Sequence, residues 1–222
     1  FCVAAGFSGY RDFKLRLAQS LAHGVPYVHH DVSANDSMAD VGAKVFDRAI
    51  AAFTSVRNHL DPAALERATV LLASARRIEF YGSGNSGIVA MDAQHKFFRL
   101  GAPTVAYADP HVYSMAASLL AKEDVLVAIS GSGRNADIVR SVEIARESGA
   151  GVIAITASGS PLARLADVVL FADVPEDLDV YAPTTSRLVQ LSLIDALSVG
   201  VALKRGPTLP GKLKRAKQAV AE

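Results

Sequence analysis

Two stretches of the sequence carry the clearest prediction of the fold: Ile78-Glu79-Phe80-Tyr81-Gly82-Ser83-Gly84-Asn85-Ser86-Gly87 and Val125-Leu126-Val127-Ala128-Ile129-Ser130-Gly131-Ser132-Gly133-Arg134-Asn135. Each begins with a short apolar run typical of a buried strand, turns at glycines and polar residues, and continues into a helical pattern. Three further strand-like runs alternate with helical stretches in the same way, at Thr104 to Ala106, Val152 to Thr156 and Val168 to Ala172. Because strands separated by helices form right-handed crossovers, the five runs predict an α/β fold, a three-layer αβα sandwich around a five-stranded parallel sheet.

Glycine and proline mark where the helices of this sandwich begin and end. Gly101 and Gly149 stand where helices should stop, because glycine readily adopts the left-handed conformation that ends many helices. The pairs Asp61-Pro62, Asp109-Pro110 and Ser160-Pro161 each place an N-capping side chain before a proline in the first helical turn. Helices are therefore predicted to begin at these three prolines.

Two longer helices are also predicted. One runs from about Asp40 to His59 and the other from Pro183 to about Leu203. The second helix has apolar residues at every third or fourth position, a stripe that suits either the protein core or an oligomer contact. We expect a homodimer or a dimer of dimers.

Both glycine-rich turns are candidate phosphate-binding loops. Ligands of an open parallel sheet bind at the carboxyl ends of the strands, where loops from neighbouring strands face one crevice. Glycine lets the backbone approach a phosphate closely, and the amides of a helix N-terminus favour an anion. An ordinary turn is the alternative for either loop alone, but two such loops at equivalent places favour a phosphate site. The candidate ligand-binding residues of the two loops are Ser83, Gly84, Asn85, Ser86, Ser130, Gly131, Ser132, Gly133, Arg134 and Asn135.

The ends of two later strands add three candidates. Thr156 and Ser158 stand at the end of the fourth predicted strand, where their hydroxyls could donate to a sugar. Glu176 follows the fifth predicted strand, where it could bind sugar hydroxyls, act as a base or lie in a solvated loop.

Nucleotide and metal sites are not predicted. Gly82-Ser83-Gly84 begins like a dinucleotide fingerprint, but no acidic residue follows a second strand about 20 residues further on. The loop also lacks the lysine of a P-loop, so hydrolysis of a nucleoside triphosphate is not expected. His23, His29, His30 and His59 are not spaced like metal ligands, and we predict neither a metal nor a cofactor.

Composition suggests a globular cytoplasmic protein. The 222 residues suffice for one α/β domain and a smaller helical piece. No apolar run reaches about 18 residues and no secretory leader is visible, so contact with a membrane is not predicted. The single cysteine, Cys2, excludes an internal disulfide and suits a reducing compartment. Six of the 23 basic groups lie in the last 19 residues, so the remaining body is slightly acidic and unlike a nucleic-acid-binding surface.

These loops resemble those of the SIS domain, which occurs in sugar-phosphate isomerases and in RpiR-type transcription regulators. The resemblance covers about Ala75 to Ala172 and is carried by three motifs. They are Gly-x-Gly-x-Ser at 82–86, Ser-x-Ser-Gly at 130–133, and an Ile-Thr strand followed by Ser-Pro-Leu-Ala at 160–163.

Further stretches are similar to the hex regulon repressor branch of the RpiR family. They are Met91 to Arg99, Val174 to Asp177 and Leu203 to Pro207. Residues 1–18 are similar to the end of that branch's helix-turn-helix domain, whose recognition helix we expect before Phe1.

The resemblance implies four segments along the chain. Residues 1–24 are the C-terminal remnant of the helix-turn-helix domain and residues 25–38 are a linker. Residues 39–206 form the SIS domain with its leading helices, and residues 207–222 form a basic tail.

The resemblance also implies a regulator whose SIS domain binds a sugar phosphate and changes the DNA affinity of its helix-turn-helix domain. For the hex-type branch the implied effector is 2-keto-3-deoxy-6-phosphogluconate, and the implied targets are glucose-catabolic genes. Asn135 departs from the threonine common in the family, which puts selectivity in question, while Arg134 either binds the carboxylate of the effector or lies exposed. The implied phosphate contacts are Ser86, Ser130, Ser132 and Asn135, with the backbone amides of Gly133 and Arg134.

The alternative is a sugar-phosphate isomerase of the same superfamily. Such an enzyme needs an acid/base pair within hydrogen-bond reach of the first two sugar carbons. Glu176, His95 and His111 are the candidates, but His95 suits a packed or interface position and His111 a surface position. We therefore predict a regulator without catalytic residues.

Overall fold

The computed structural model describes residues 32–174 and 185–206 and the single positions 211, 214, 215 and 218. The chain divides into two compact units, Phe1–Ala51 with Pro175–Thr185 and Ala52–Val174 with Ser186–Glu222. The predictions for residues 1–31, for Glu176, for the helix start at Pro183 and for most of the basic tail lie outside the described residues. The division into four segments therefore stays a prediction.

Helices and strands alternate through most of the described chain. The elements are α1 (Met38–His59), α2 (Pro62–Ser74), β1 (Arg77–Tyr81), α3 (Asn85–Phe97), β2 (Thr104–Tyr107), α4 (Pro110–Ala117), β3 (Asp124–Ser130), α5 (Ala136–Glu147), β4 (Gly151–Thr156), α6 (Pro161–Leu165), β5 (Val168–Phe171) and α7 (Thr185–Lys204). A short 3₁₀ turn, Phe98–Leu100, follows α3.

The five strands form one parallel sheet in the order β2-β1-β3-β4-β5. At the carboxyl edge, Tyr81 of β1 pairs with Tyr107 of β2 and with Ala128 of β3. Further along, Thr156 of β4 pairs with Ser130 of β3 and with Phe171 of β5. Every neighbouring pair is parallel, so all five strand ends share one edge, as the alternating sequence pattern predicted.

Both faces of the sheet are buried, which explains why the strands are continuously apolar. Val127 and Ile129 of β3 belong to a core cluster that includes residues of α2, α3 and α7. The alternate residues Leu126 and Ala128 belong to a second cluster, with residues of α4, α5 and α6. The two clusters confirm the three-layer αβα sandwich.

Three helices begin at the prolines that the sequence predicted, and each is preceded by a capping side chain. The Asp61 carboxylate accepts from the amide of Ala63 at 2.8 Å, and Asp109 accepts from the amide of His111 at 2.8 Å. Ser160 Oγ accepts from the amide of Ala163 at 3.1 Å. The two glycines predicted to stop helices, at 101 and 149, have φ of +82° and +85°. Local capping chemistry therefore determines these boundaries.

Helix α7 is held tightly in the first core layer. Gly200 lies against α2, since a Cβ on Gly200 would fall 2.8 Å from Thr69 Oγ1. The Lys96 ammonium of α3 pairs with the Asp195 carboxylate of α7. By length and composition alone α7 could also span a membrane, but its apolar residues Leu193 and Leu197 are buried in the core.

In the described part of the first unit, polar contacts surround the start of α1. The Asp40 carboxylate accepts from the amide of Ser37 at 3.0 Å, and Ser37 Oγ accepts from the amide of Asp40 at 3.2 Å. This reciprocal pair is a capping box. The side-chain and backbone bonds from Ser37 hold the pKa of Asp40 below its usual value.

Candidate functional site

The strand order places one crevice at the carboxyl edge of the sheet. The chain leaves β1 towards β2 on one side of the sheet and leaves β3 towards β4 on the other side, so the loops after the neighbouring strands β1 and β3 diverge at this point. Ligands of open parallel sheets bind at such a switch point. The two loops that the sequence singled out, 82–87 and 130–135, are the ones that flank it.

Close backbone packing shapes the first loop. A Cβ on Gly82 would fall 2.5 Å from the carbonyl oxygen of Ser86, and a Cβ on Gly87 would fall 3.0 Å from Cβ of Ala108. Gly84 has φ of +57°, in the left-handed region, and it precedes the first residue of α3. The glycines therefore let the chain turn directly into the helix. Ser86 lies half-buried in the first turn, while Gly84 and Asn85 are exposed.

Buried aromatic residues that the sequence analysis missed support this loop from below. Ser83 Oγ lies 3.1 Å from the hydroxyl of Tyr113 in α4. The Tyr113 ring stacks on Tyr81 with centroids 5.3 Å apart, and the Tyr81 hydroxyl donates to the Glu79 carboxylate at 2.5 Å. Burial raises the pKa of Tyr113, so its hydroxyl stays a neutral hydrogen-bonding group. Ser83 is thus fixed by the core rather than directed freely at the crevice.

Glu79 is an unusual residue for the middle of a buried strand. It is 1% exposed, and burial raises the pKa of its carboxyl group above the ordinary value of 4.5. Nε of Arg77 lies 3.3 Å from Oε1 of Glu79, and the Tyr81 hydroxyl donates to the same carboxylate. Both interactions lower the pKa of Glu79 and so offset part of the effect of burial. A single acidic residue in an apolar run was the sequence signal for this buried group.

Serine hydroxyls hold the backbone of the second loop. Ser130 Oγ accepts from the amide of Gly133 at 3.1 Å, and Ser132 Oγ accepts from the amide of Arg134 at 3.3 Å. A hydroxyl that accepts one bond keeps its own proton, so each serine can still donate to an anion. The amides of Gly133 and Arg134, implied as direct phosphate contacts, instead donate to the serines in this structure.

The second loop ends in the N-terminus of α5. Asn135 Oδ1 accepts from the amide of Ile138 at 3.0 Å and caps the helix, which leaves its side-chain NH₂ group as a donor. Arg134 and Asn135 are both exposed. The helix N-terminus adds a partial positive charge, so this end of the loop attracts anions.

Thr156 and Ser158 take different positions at the end of β4. Thr156 is fully buried, and its Oγ1 lies 3.4 Å from Oγ of Ser160 beneath the second loop. Ser158 is exposed, and its backbone amide donates to the Asp173 carboxylate at 2.7 Å. In this arrangement Thr156 supports the loop, whereas Ser158 is accessible.

Residues of helix α7 lie beside the second loop, which the sequence did not predict. A Cβ placed on Gly131 would lie 3.7 Å from Nε2 of Gln190 and 3.7 Å from Oγ of Ser186. Gln190 is 1% exposed, and its Nε2 has no hydrogen-bond partner among the described residues. The available sequence signal was a polar residue within the apolar stripe of the helix.

His95 and His111, the two described histidines that were candidates for catalysis, lie outside the two loops that flank the crevice. His95 is exposed near the C-terminal end of α3, where its Nε2 lies 2.7 Å from Nη2 of Arg99, so it is not packed in the core. His111 is exposed in the first turn of α4, after the edge strand β2. Among the described residues, no group of three or more His, Cys, Asp or Glu side chains could hold a metal ion.

Comparisons with known proteins agree with this architecture. A family model for the SIS domain matches residues 71–200. The chain is 45% identical over 222 residues to the HTH-type transcriptional regulator HexR of Escherichia coli (strain K12), covering 100% of this chain and 77% of that protein. It is 44% identical over 225 residues to the Bifunctional protein glk of Burkholderia orbicola (strain AU 1054), of which it covers 35%.

A solved structure is similar over nearly the same extent. The Vibrio vulnificus NanR protein complexed with ManNAc-6P matches with a TM-score of 0.74 and 25% sequence identity. The match covers 99% of this chain and 78% of that one.

Proposed function

The chain belongs to the SIS domain family and to the HexR-type transcriptional regulators, and from this premise we propose that its α/β unit binds a phosphorylated sugar acid as an effector. The whole regulator then couples effector binding to DNA binding in the cytoplasm. One observation carries the proposal. Two serine loops, each leading into a helix N-terminus, flank the switch point between β1 and β3.

The phosphate of the effector binds between these two loops. Ser130 and Ser132 donate their hydroxyl protons, while the same oxygens keep accepting from the loop amides. Ser86 and the NH₂ group of Asn135 donate from the first turns of α3 and α5. A hydrogen bond to a charged group contributes about 1.5–3 kcal/mol, so a few such donors suffice to hold a phosphate.

The acid end of the effector selects it among phosphosugars. Arg134 is exposed within the second loop and can bind a carboxylate through two parallel N–H donors. A neutral sugar phosphate offers no such partner. The combination favours 2-keto-3-deoxy-6-phosphogluconate, with Ser158 beside the sugar and Thr156 as a support below the loop. Glu176 stays a candidate for the sugar hydroxyls from the sequence.

Effector binding regulates DNA affinity by shifting a population of conformations. The effector bridges loops from different strands and prefers one arrangement of the DNA-binding halves in a homodimer or a dimer of dimers. A coupling of about 1–3 kcal/mol changes operator affinity roughly 5- to 150-fold. NanR, a structural relative at 25% identity, was solved with ManNAc-6P, which supports a phosphorylated sugar as the class of effector.

A saturation-transfer NMR experiment tests this function. The purified chain is mixed with 2-keto-3-deoxy-6-phosphogluconate, glucose 6-phosphate, fructose 6-phosphate, an amino-sugar phosphate and, as the control without phosphate, gluconate. Saturation of the phosphorylated acid with no new peaks over hours is the expected result. Product peaks would establish the isomerase alternative, and saturation of none of the phosphosugars would refute the proposal.

A further inference from the structure

Helix α7 carries a buried side-chain amide, that of Gln190, whose nitrogen makes no hydrogen bond to the described residues. Gln190 is 1% exposed, and within the described part of the chain the nitrogen of its side-chain amide has no hydrogen-bond partner. Its neighbours in the core include Val189, Leu193 and Ile194. Leaving a buried donor unpaired is unfavourable, and leucine would fill the position without that cost. Core packing therefore does not explain the unpaired amide nitrogen at this position.

The unpaired amide points towards the second serine loop. The position that a Cβ on Gly131 would occupy lies 3.7 Å from Nε2 of Gln190 and equally far from Oγ of Ser186. Because residue 131 is glycine, that position holds no side-chain atom. An oxygen placed there would be within a small side-chain movement of hydrogen-bond distance to the amide. Gly131 directly follows Ser130, whose hydroxyl faces the same loop.

A second glutamine shows what a structural role looks like in this fold. Gln94 of α3 is paired on both sides, since its Oε1 accepts from the amide of Ala106 at 3.2 Å and its Nε2 donates to the carbonyl of Thr104 at 3.5 Å. It fastens α3 to the edge strand β2. The amide nitrogen of Gln190 makes no comparable bond to the backbone of the residues that the structure describes.

We propose that Gln190 is an effector-binding residue, whose amide donates to an acceptor oxygen of the phosphorylated sugar acid across the gap at Gly131. This inference rests on the proposed function and extends it to a third wall of the site. The serine loops bind the phosphate of the effector, and Gln190 donates to an oxygen of its sugar-acid part. Gln190 has three rotatable side-chain bonds, which supply the movement that the contact requires.

The test compares Gln190→Leu with Gln94→Leu in the same chain. Thermal unfolding is measured without ligand, and affinity for 2-keto-3-deoxy-6-phosphogluconate is measured by calorimetry. Loss of a donor to the ligand predicts at least about five-fold weaker binding for Gln190→Leu, with a melting temperature that is unchanged or higher. Gln94→Leu should show the reverse pattern, a lower melting temperature with unchanged affinity.

Gly131→Ala provides an independent variant. Its Cβ meets its neighbours at 3.7 Å, an ordinary contact, so the fold should tolerate the change while the gap is filled. Weaker binding by a stable Gly131→Ala variant supports the inference. If Gln190→Leu binds like the parent, the inference is wrong although the proposed function stands. If the parent itself binds none of the phosphosugars, the proposed function fails and the role of Gln190 fails with it.

Discussion

Gly133 lies directly against Thr156, so that a Cβ on Gly133 would fall 2.3 Å from the Thr156 hydroxyl oxygen. The same Cβ would fall 2.4 Å from Oγ of Ser160. The carbonyl of Gly133 also accepts from the amide of Leu162 at 3.2 Å. The second serine loop is thus seated on the end of β4 and the start of α6, and its shape is set before any ligand arrives.

The first prediction concerns this contact. Gly133→Ala combines a left-handed φ of +61° with a clash, so we expect it to lower the free energy of unfolding and to distort the loop. Overpacking costs about 1–3 kcal/mol, and the unfavourable φ adds about 1 kcal/mol. Denaturant unfolding measures the loss. Gly159→Ala is the matched control, since Gly159 has φ of +65° but no atom of a described residue within 4 Å of its Cβ position. Equal losses for the two variants would show that the contact with Thr156 is unimportant.

The second prediction separates the two loop serines. Ser130→Ala leaves the buried amide of Gly133 without an acceptor, so it should cost about 1–3 kcal/mol of stability and weaken effector binding. Ser132→Ala releases only an exposed amide and should weaken binding with little loss of stability. Calorimetry and thermal unfolding check both variants. Ser118→Ala, which removes a hydroxyl bonded to the Met115 carbonyl, is the control. If both loop variants bind phosphosugars like the parent, the site is placed wrongly.

The third prediction uses the cap of α5. Asp and Asn cap helices about equally well, so Asn135→Asp should fold as stably as the parent. Its carboxylate would stand beside the phosphate and repel it, and we expect at least about ten-fold weaker effector binding at neutral pH. Asn135→Ser keeps a capping oxygen and a donor, and should bind more tightly than Asn135→Asp. Similar affinities for the two variants would place the phosphate away from this helix end.

The fourth prediction follows from the raised pKa of Glu79. A carboxyl group whose folded-state pKa exceeds its unfolded value stabilises the fold at low pH, and this contribution is lost as the pH rises through the folded-state pKa. Glu79→Gln removes the titration. As the pH rises from the ordinary pKa of 4.5 to the raised pKa, the free energy of unfolding of the parent should therefore fall relative to that of the variant. The slope is at most about 1.4 kcal/mol per pH unit. If the free energies of unfolding of the parent and the variant change with pH in parallel over this range, the pKa of Glu79 is not raised.

Several features of the fold could be predicted because their causes are local. The capping roles of Asp61, Asp109 and Ser160 depend on residues within the same helical turn. The strands were recognised because their apolar runs are continuous, as burial on both faces requires. The two serine loops followed from the same reasoning, since the turn that ends a parallel strand always lies at the ligand-binding edge.

Other features of the site were missed because their causes are not local. Tyr113 reaches Ser83 from a different crossover, and its position after Pro110 gave no indication of that contact. Gln190 was passed over within an apolar stripe, where a buried polar side chain was the signal that could have been followed. Thr156 was predicted beside the ligand, but whether a hydroxyl at a strand end faces the crevice or the core depends on the neighbouring loop.

Propensity, capping and periodicity act over a few residues, so the sequence alone predicted the order of helices and strands along the chain, several helix boundaries and the two loops that bear serines. Which hydroxyls stay accessible, and which groups meet across the crevice, depends on contacts that form only in the folded chain. Gly133 seated on Thr156 and Gly131 facing Gln190 are contacts between distant parts of the chain. They exist because the parallel sheet brings its carboxyl ends to one edge and the packing of α7 places its first turns beside them.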